Sequence, residues 1–251
     1  MTTVLQNFSE ALTQQLLLAV CVALPGGVIQ GYAGFGGALF SAPLFALLFG
    51  PATGFSLLVI LMLFSQVSLL PTALRKADWK EFVPPAASAG ITMPLGVSFL
   101  VAADPTLIRR GMGVLILLIT IVMMFGYRYE GKWRLMVGVG TGAAAGAISG
   151  LFGVPAFPLA AVYLHSASHS PDVIRANVSV AICCTLAVYL IVFSLNGVYN
   201  LSTLIQAAIL TPIFTIGVYL GQLIFRIAPS DWFKKVTYAI LIFTALFMMA
   251  T

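Results

Sequence analysis

Four glycines, Gly31, Gly34, Gly36 and Gly37, break an uncharged apolar run that Pro43 interrupts again, in "GVIQGYAGFGGALFSAPLFALLFG" at residues 27–50. Glycine weakens a helix interior and proline removes a backbone donor, so this backbone is expected to bend or open. A helix restarting there offers free backbone N–H groups and the partial positive end of its dipole, and glycines let an anion approach both closely. The chemistry implied is anion binding by backbone rather than by charged side chains.

The second half of the chain repeats the plan. In "GAISGLFGVPAFPLAAVYL" at residues 146–164, Gly146 precedes Pro158 by the interval that separates Gly31 from Pro43. Further on, "PLGVSFLVAADPTLIRRGMGVLILL" at 94–118 is echoed by "TIGVYLGQLIFRIAPSDWFKKVTYAILIF" at 215–243, aligning Gly96-Val97 with Gly217-Val218. The chain reads as two copies of one unit, residues 1–128 and 129–251, as secondary transporters often are. Candidate anion contacts are Gln30, Tyr32, Gly34, Phe35, Gly36 and Gly37 at the first break, and Ser149, Gly150, Phe152 and Gly153 at the second. Gln66, inside its apolar run, and Asn177, two residues after Arg175, add polar groups at depth. Each has a plainer explanation: glycines let membrane helices pack closely, and buried amides bond helix to helix. Arg175 equally marks a membrane boundary.

The elements that hold these residues follow from composition. With 61% hydrophobic and 8% charged residues and a mean hydropathy of +1.07, the chain is an integral membrane protein. Residues 11–74, 82–103, 111–127, 135–171, 176–225 and 236–251 contain no Asp, Glu, Lys or Arg, and about 20 such residues suffice for a spanning helix. Runs such as "GVLILLITIVMMFGY" are apolar on every face, unlike the alternating strands of a barrel. The fold class is therefore all-α and polytopic. Glu10, with no Lys or Arg before the first apolar run, argues against a cleaved signal peptide. Cys21 is isolated and Cys183-Cys184 are vicinal in an apolar run, so neither suggests a metal or redox site. The sequence pI of about 9.3 belongs with cytoplasmic loops rather than with nucleic acid.

Basic residues choose between two topologies. If each glycine-broken stretch crosses once, the twelve Lys and Arg divide evenly between the faces. If each enters and returns as a hairpin, only Arg109 and Arg110 fall on one face, and the bias towards one side favours the hairpin. Each repeat then holds a hairpin (11–50 or 132–166) and three spanning helices, at about 53–73, 82–103 and 107–127, and about 173–195, 201–226 and 232–250. Five segments per repeat make the second repeat inverted, with both termini periplasmic. An arm such as 37–50 reaches only about 21 Å at 1.5 Å per residue, against a core of about 30 Å, so the two tips are expected to meet near the midplane.

"GYAGFGGALFSAPLFALL" and "GAISGLFGVPAFPLAAVYL", each opening one half of the chain, resemble the duplicated motif of the TauE/SafE, or sulfite exporter, family of anion permeases. The resemblance implies transport of sulfur-containing anions such as sulfite, sulfonates, sulfoacetate or thiosulfate across a bacterial inner membrane. Pro155 departs from the family's glycine-rich second motif, so the two tips are not expected to be equivalent. The expected partners are a small anion and the bilayer, with no cofactor and no metal. An enzyme is not expected: His165 and His169 lack the following Glu of a zinc protease motif, and no predicted span holds a base for a serine nucleophile. A channel, an uptake permease or a membrane assembly protein are the alternatives. All seven acidic residues lie at span ends or in loops, which points to the membrane potential rather than protons as the driving force.

Overall fold

The computed structural model describes residues 2–33, 36–67, 70–125, 134–154, 171–227 and 230–250. Among them are ten helices and no strand: α1 (Thr2–Ala33), α2 (Gly36–Phe49), α3 (Pro51–Gln66), α4 (Leu70–Lys76), α5 (Trp79–Ala102), α6 (Pro105–Phe125), α7 (Arg134–Phe152), α8 (Pro171–Leu195), α9 (Leu201–Ile227) and α10 (Ser230–Ala250). In lipid a helix satisfies its own backbone, which is why apolar runs this long settle on it. The starts are written into the sequence. Proline opens α3, α6 and α8, where its missing N–H costs nothing. Asp78 accepts from the Lys80 N–H at 3.0 Å ahead of α5, and Asn200 from the Thr203 N–H at 2.8 Å ahead of α9. The single helix expected over residues 53–73 is instead two, α3 and α4. Pro71 sits in the first turn of α4, where its ring and missing donor prevent a helix from continuing through it.

Five helical stretches are long and apolar enough to cross a membrane: Gln14–Tyr32, Trp79–Ala102, Pro105–Val122, Leu135–Phe152 and Leu201–Phe225. Ile91, Leu95, Leu118, Tyr219 and Phe243 are exposed on the outside of the bundle. An outer surface this apolar suits lipid and not water.

Helix α1 packs along α9 and α7 along α5, and both pairs are built on small residues in matching places. A Cβ on Gly27 or Gly31 would overlap the carbonyl of Phe214 or Val218; one on Gly146 or Gly150 would overlap that of Ala89 or Met93. From the opposite side, Gly221 lies against the Val28 carbonyl and the Tyr32 nitrogen, and Gly96 against the Ala147 carbonyl and the Leu151 nitrogen. One constant shift along the chain carries the α1 residues onto those of α7, and another carries the α5 residues onto those of α9. The register differs from the expected one by a helical turn: Gly31 matches Gly150 rather than Gly146, and Gly96 matches Gly221 rather than Gly217. Backbone contact sets this register, whereas the sequence match was anchored on Pro158, which lies outside the described residues.

The two pairs run in opposite directions. The Asp78 N–H at the start of α5 donates to Asn177 Oδ1 at 2.7 Å, which fixes that start to the beginning of α8. Helix α9 starts just beyond the other end of α8, whose 25 residues span roughly 37 Å. The glycine contacts advance together along both chains of each pair, so α7 is parallel to α5 and α1 to α9. In the middle, α3 packs on α8 and α6 on α10. Leu57, Leu61, Met93, Ile108, Phe193 and Phe214 belong to the central core, and Ala73, Phe82, Ala176 and Val180 form a second cluster where α4, α5 and α8 meet.

Candidate functional site

The first turn joins α1 to α2. Gln30 and Tyr32 are buried on α1, Gly36 and Gly37 are buried at the start of α2, and Gly34 and Phe35 lie outside the described residues. Gly37 rests on Gly26 and Gln30, closely enough that no side chain fits there. Helix α2 therefore starts beside the stretch Gly26–Gln30, inside the end of α1, with its first residues buried. Tyr32 is held edge-on to Phe225 of α9, centroids 5.3 Å apart.

The second turn follows α7. The Gly153 N–H donates to the Ser149 carbonyl at 2.9 Å, and Gly153 adopts φ +61, the left-handed cap that ends many helices. Ser149 is buried, Gly150 lies against Met93 and Gly96, and the Phe152 ring covers Gly111 of α6. A Cβ on Gly153 would stand 3.2 Å from Cβ and Cγ of Phe55. Phe55 meets Tyr189 edge-on at 4.9 Å, and Tyr189 stacks on Phe193 at 5.9 Å. The Tyr189 hydroxyl faces Ser149. Phe55, Tyr189 and Phe193 were not singled out in the sequence, because they come from separate halves and share no motif or spacing.

The remaining candidates are dispersed. Gln66 is buried at the last residue of α3. Asn177 is buried, and its oxygen is committed to the Asp78 N–H, the helix-to-helix role that competed with substrate contact. Arg175 lies on α8, its side chain outside what is described. Pro155, Pro158, His165 and His169, in the stretch expected to complete the second hairpin, lie outside the described residues. Among the described residues no cluster of His, Cys, Asp or Glu suits a metal ion.

None of the described residues of the two turns is ionisable apart from Tyr32. The charged side chains that are described stand near helix ends. Asp104, between α5 and α6, is held below the ordinary carboxylate range by the Thr106 N–H, which it accepts at 2.6 Å, and by the Thr106 hydroxyl. Because α1 and α7 point in opposite directions, the turns that follow them face opposite ends of the bundle.

Helices without strands, crossing-length apolar segments and a hydrophobic exterior define a multi-pass, all-α membrane protein. Residues 18–248 match the family described as sulfite exporter TauE/SafE, nearly the whole chain, and the protein belongs to that family of anion-exporter-type membrane transporters. Comparison with curated proteins and with solved structures gave no match.

Proposed function

We propose that this chain exports a small sulfur-containing anion, sulfite or a sulfonate such as sulfoacetate, across a bacterial inner membrane as a secondary transporter. The observation that carries the reading is the matched packing of α1 on α9 and of α7 on α5 in opposite directions. Two copies of one unit with opposite orientation are how many carriers open alternately to either face. In this reading residues 1–128 and 129–251 are the inverted repeats, and each glycine turn serves the anion from its own side of the middle. The backbone N–H groups at the start of α2 and the polar groups Gln30 and Ser149 hold it without a formal charge. Weak binding of that kind suits release on the far side.

Orientation follows from charge. The end shared by α4, α5 and α8 carries Arg75, Lys76 and Lys80, while the start of α6 at the opposite end carries Arg109 and Arg110. The first end is taken as cytoplasmic, with both termini periplasmic. Export is driven by the inside-negative potential, about 2.3 kcal/mol per charge per 100 mV, on the order of fiftyfold in concentration.

Purified protein in liposomes loaded with sulfite tests this directly. Efflux is expected to saturate with concentration and to accelerate under a valinomycin-imposed inside-negative potential at constant pH. A current that grows without saturation identifies a channel, and efflux that ignores potential but follows a pH gradient assigns the coupling to protons. No flux of any anion leaves an assembly role.

A further inference from the structure

A buried tyrosine in a membrane protein normally finds a partner for its hydroxyl. Even the half-buried Tyr199 does so, donating to the Ser56 carbonyl at 3.3 Å. Tyr189 does not. Its side chain is 1% exposed, and its hydroxyl is turned towards the Ser149 side chain without reaching good hydrogen-bonding geometry with it or with any other described group. The ring has no freedom to look elsewhere, being fixed by Phe55 at 90° on one side and by Phe193, nearly parallel at 18°, on another. Phe55 in turn touches Gly153, so this hydroxyl sits at the second turn, beside Ser149.

We propose that the Tyr189 hydroxyl donates a hydrogen bond to the transported anion at the second turn, with Ser149 beside it, and so helps to select an oxyanion. The inference rests on the transport reading above and names a residue of that same site. A phenol is a strong neutral donor that stays protonated at working pH, so it recognises oxygen anions without trapping them as a lysine would. Leaving such a donor buried and unsatisfied costs stability in the empty protein, and an arriving anion relieves that cost. Phe193 and Phe55 supply the rigidity that makes one geometry, and hence one size of anion, preferable.

The test compares Tyr189→Phe with Tyr199→Phe, using sulfite, sulfoacetate and thiosulfate as titrants of the purified protein and as substrates in liposomes. Tyr189→Phe removes only an oxygen that makes no well-formed hydrogen bond with any described group. Its melting temperature is expected to equal or exceed that of the wild type, while the Kd and KM for the preferred anion rise about tenfold or more, the usual loss for a hydrogen bond to a charged group. Tyr199→Phe is expected to do the reverse, melting lower and binding as before. A wild type that binds and transports one of these anions, together with a Tyr189→Phe variant whose Kd and KM are unchanged, overturns this inference and leaves the transport reading standing. A marked fall in the melting temperature of Tyr189→Phe overturns it too, by showing that the hydroxyl has a structural partner. A wild type that neither binds nor transports any of the three overturns both.

Discussion

Gly150 illustrates what single residues contribute here. A Cβ at this position would stand 2.5 Å from the Met93 carbonyl and 3.0 Å from Gly96 Cα, so α7 and α5 touch backbone to backbone. Gly150→Leu must push the helices apart and is expected to cost at least the 1–3 kcal/mol typical of overpacking, read as a lower melting temperature in detergent. Gly140, on the same helix, has nothing within 4 Å of its would-be Cβ, and Gly140→Ala is expected to be neutral or to stabilise by up to about 1 kcal/mol. Equal loss at both sites would remove packing as the reason for the glycine pattern. Gly153 is a poor probe of anion contact for a related reason. Its φ of +61 penalises any side chain before a substrate is considered.

At the scale of elements, the link between α5 and α8 sets direction. Asn177 Oδ1 takes the Asp78 N–H, and the Asp78 carboxylate takes that of Lys80, so one short chain of bonds both caps α5 and ties it to α8. Asn177→Ala is expected to destabilise the fold by about 1–3 kcal/mol, since a partly buried donor is left unmet, while the KM of the folded protein stays near the wild-type value. Thermal melts and transport assays on the same preparation separate the two quantities. A raised KM at unchanged stability would instead make Asn177 a substrate ligand.

The molecule as a whole is defined by which helix ends share a face. Single cysteines placed at positions 78 and 231, after replacement of Cys21, Cys183 and Cys184, are expected to react with an impermeant reagent from the cytoplasmic face, and those at 104 and 198 from the other. Positions 78 and 231 reacting from opposite faces would mean that each glycine-broken stretch crosses once, and would dissolve the inverted relation of the halves. That same relation underlies the proposed potential-driven efflux, since inverted units are how many carriers open alternately to the two faces.

Composition alone determined that this is an all-helical membrane protein, because long uncharged runs have no other stable state in lipid. The duplicated glycine motifs likewise carried the family, since they recur as short contiguous strings. The register between the halves was a different matter. Matching Gly31 to Gly146 relied on the interval to a proline, whereas Gly31 and Gly150 correspond because each lets a backbone carbonyl of a distant helix approach, which no interval along the chain records. The end of α3 before Pro71 was masked by an unbroken apolar run, since hydropathy does not register a missing backbone donor. Only the tertiary structure showed that α1 and α7 run in opposite directions. It also brought Phe55, Tyr189 and Ser149 together from both halves of the chain. Local sequence specifies what each segment is in lipid, but the partner of a buried hydroxyl depends on packing between helices more than a hundred residues apart, as at Tyr199 and Ser56, whose separation is 143.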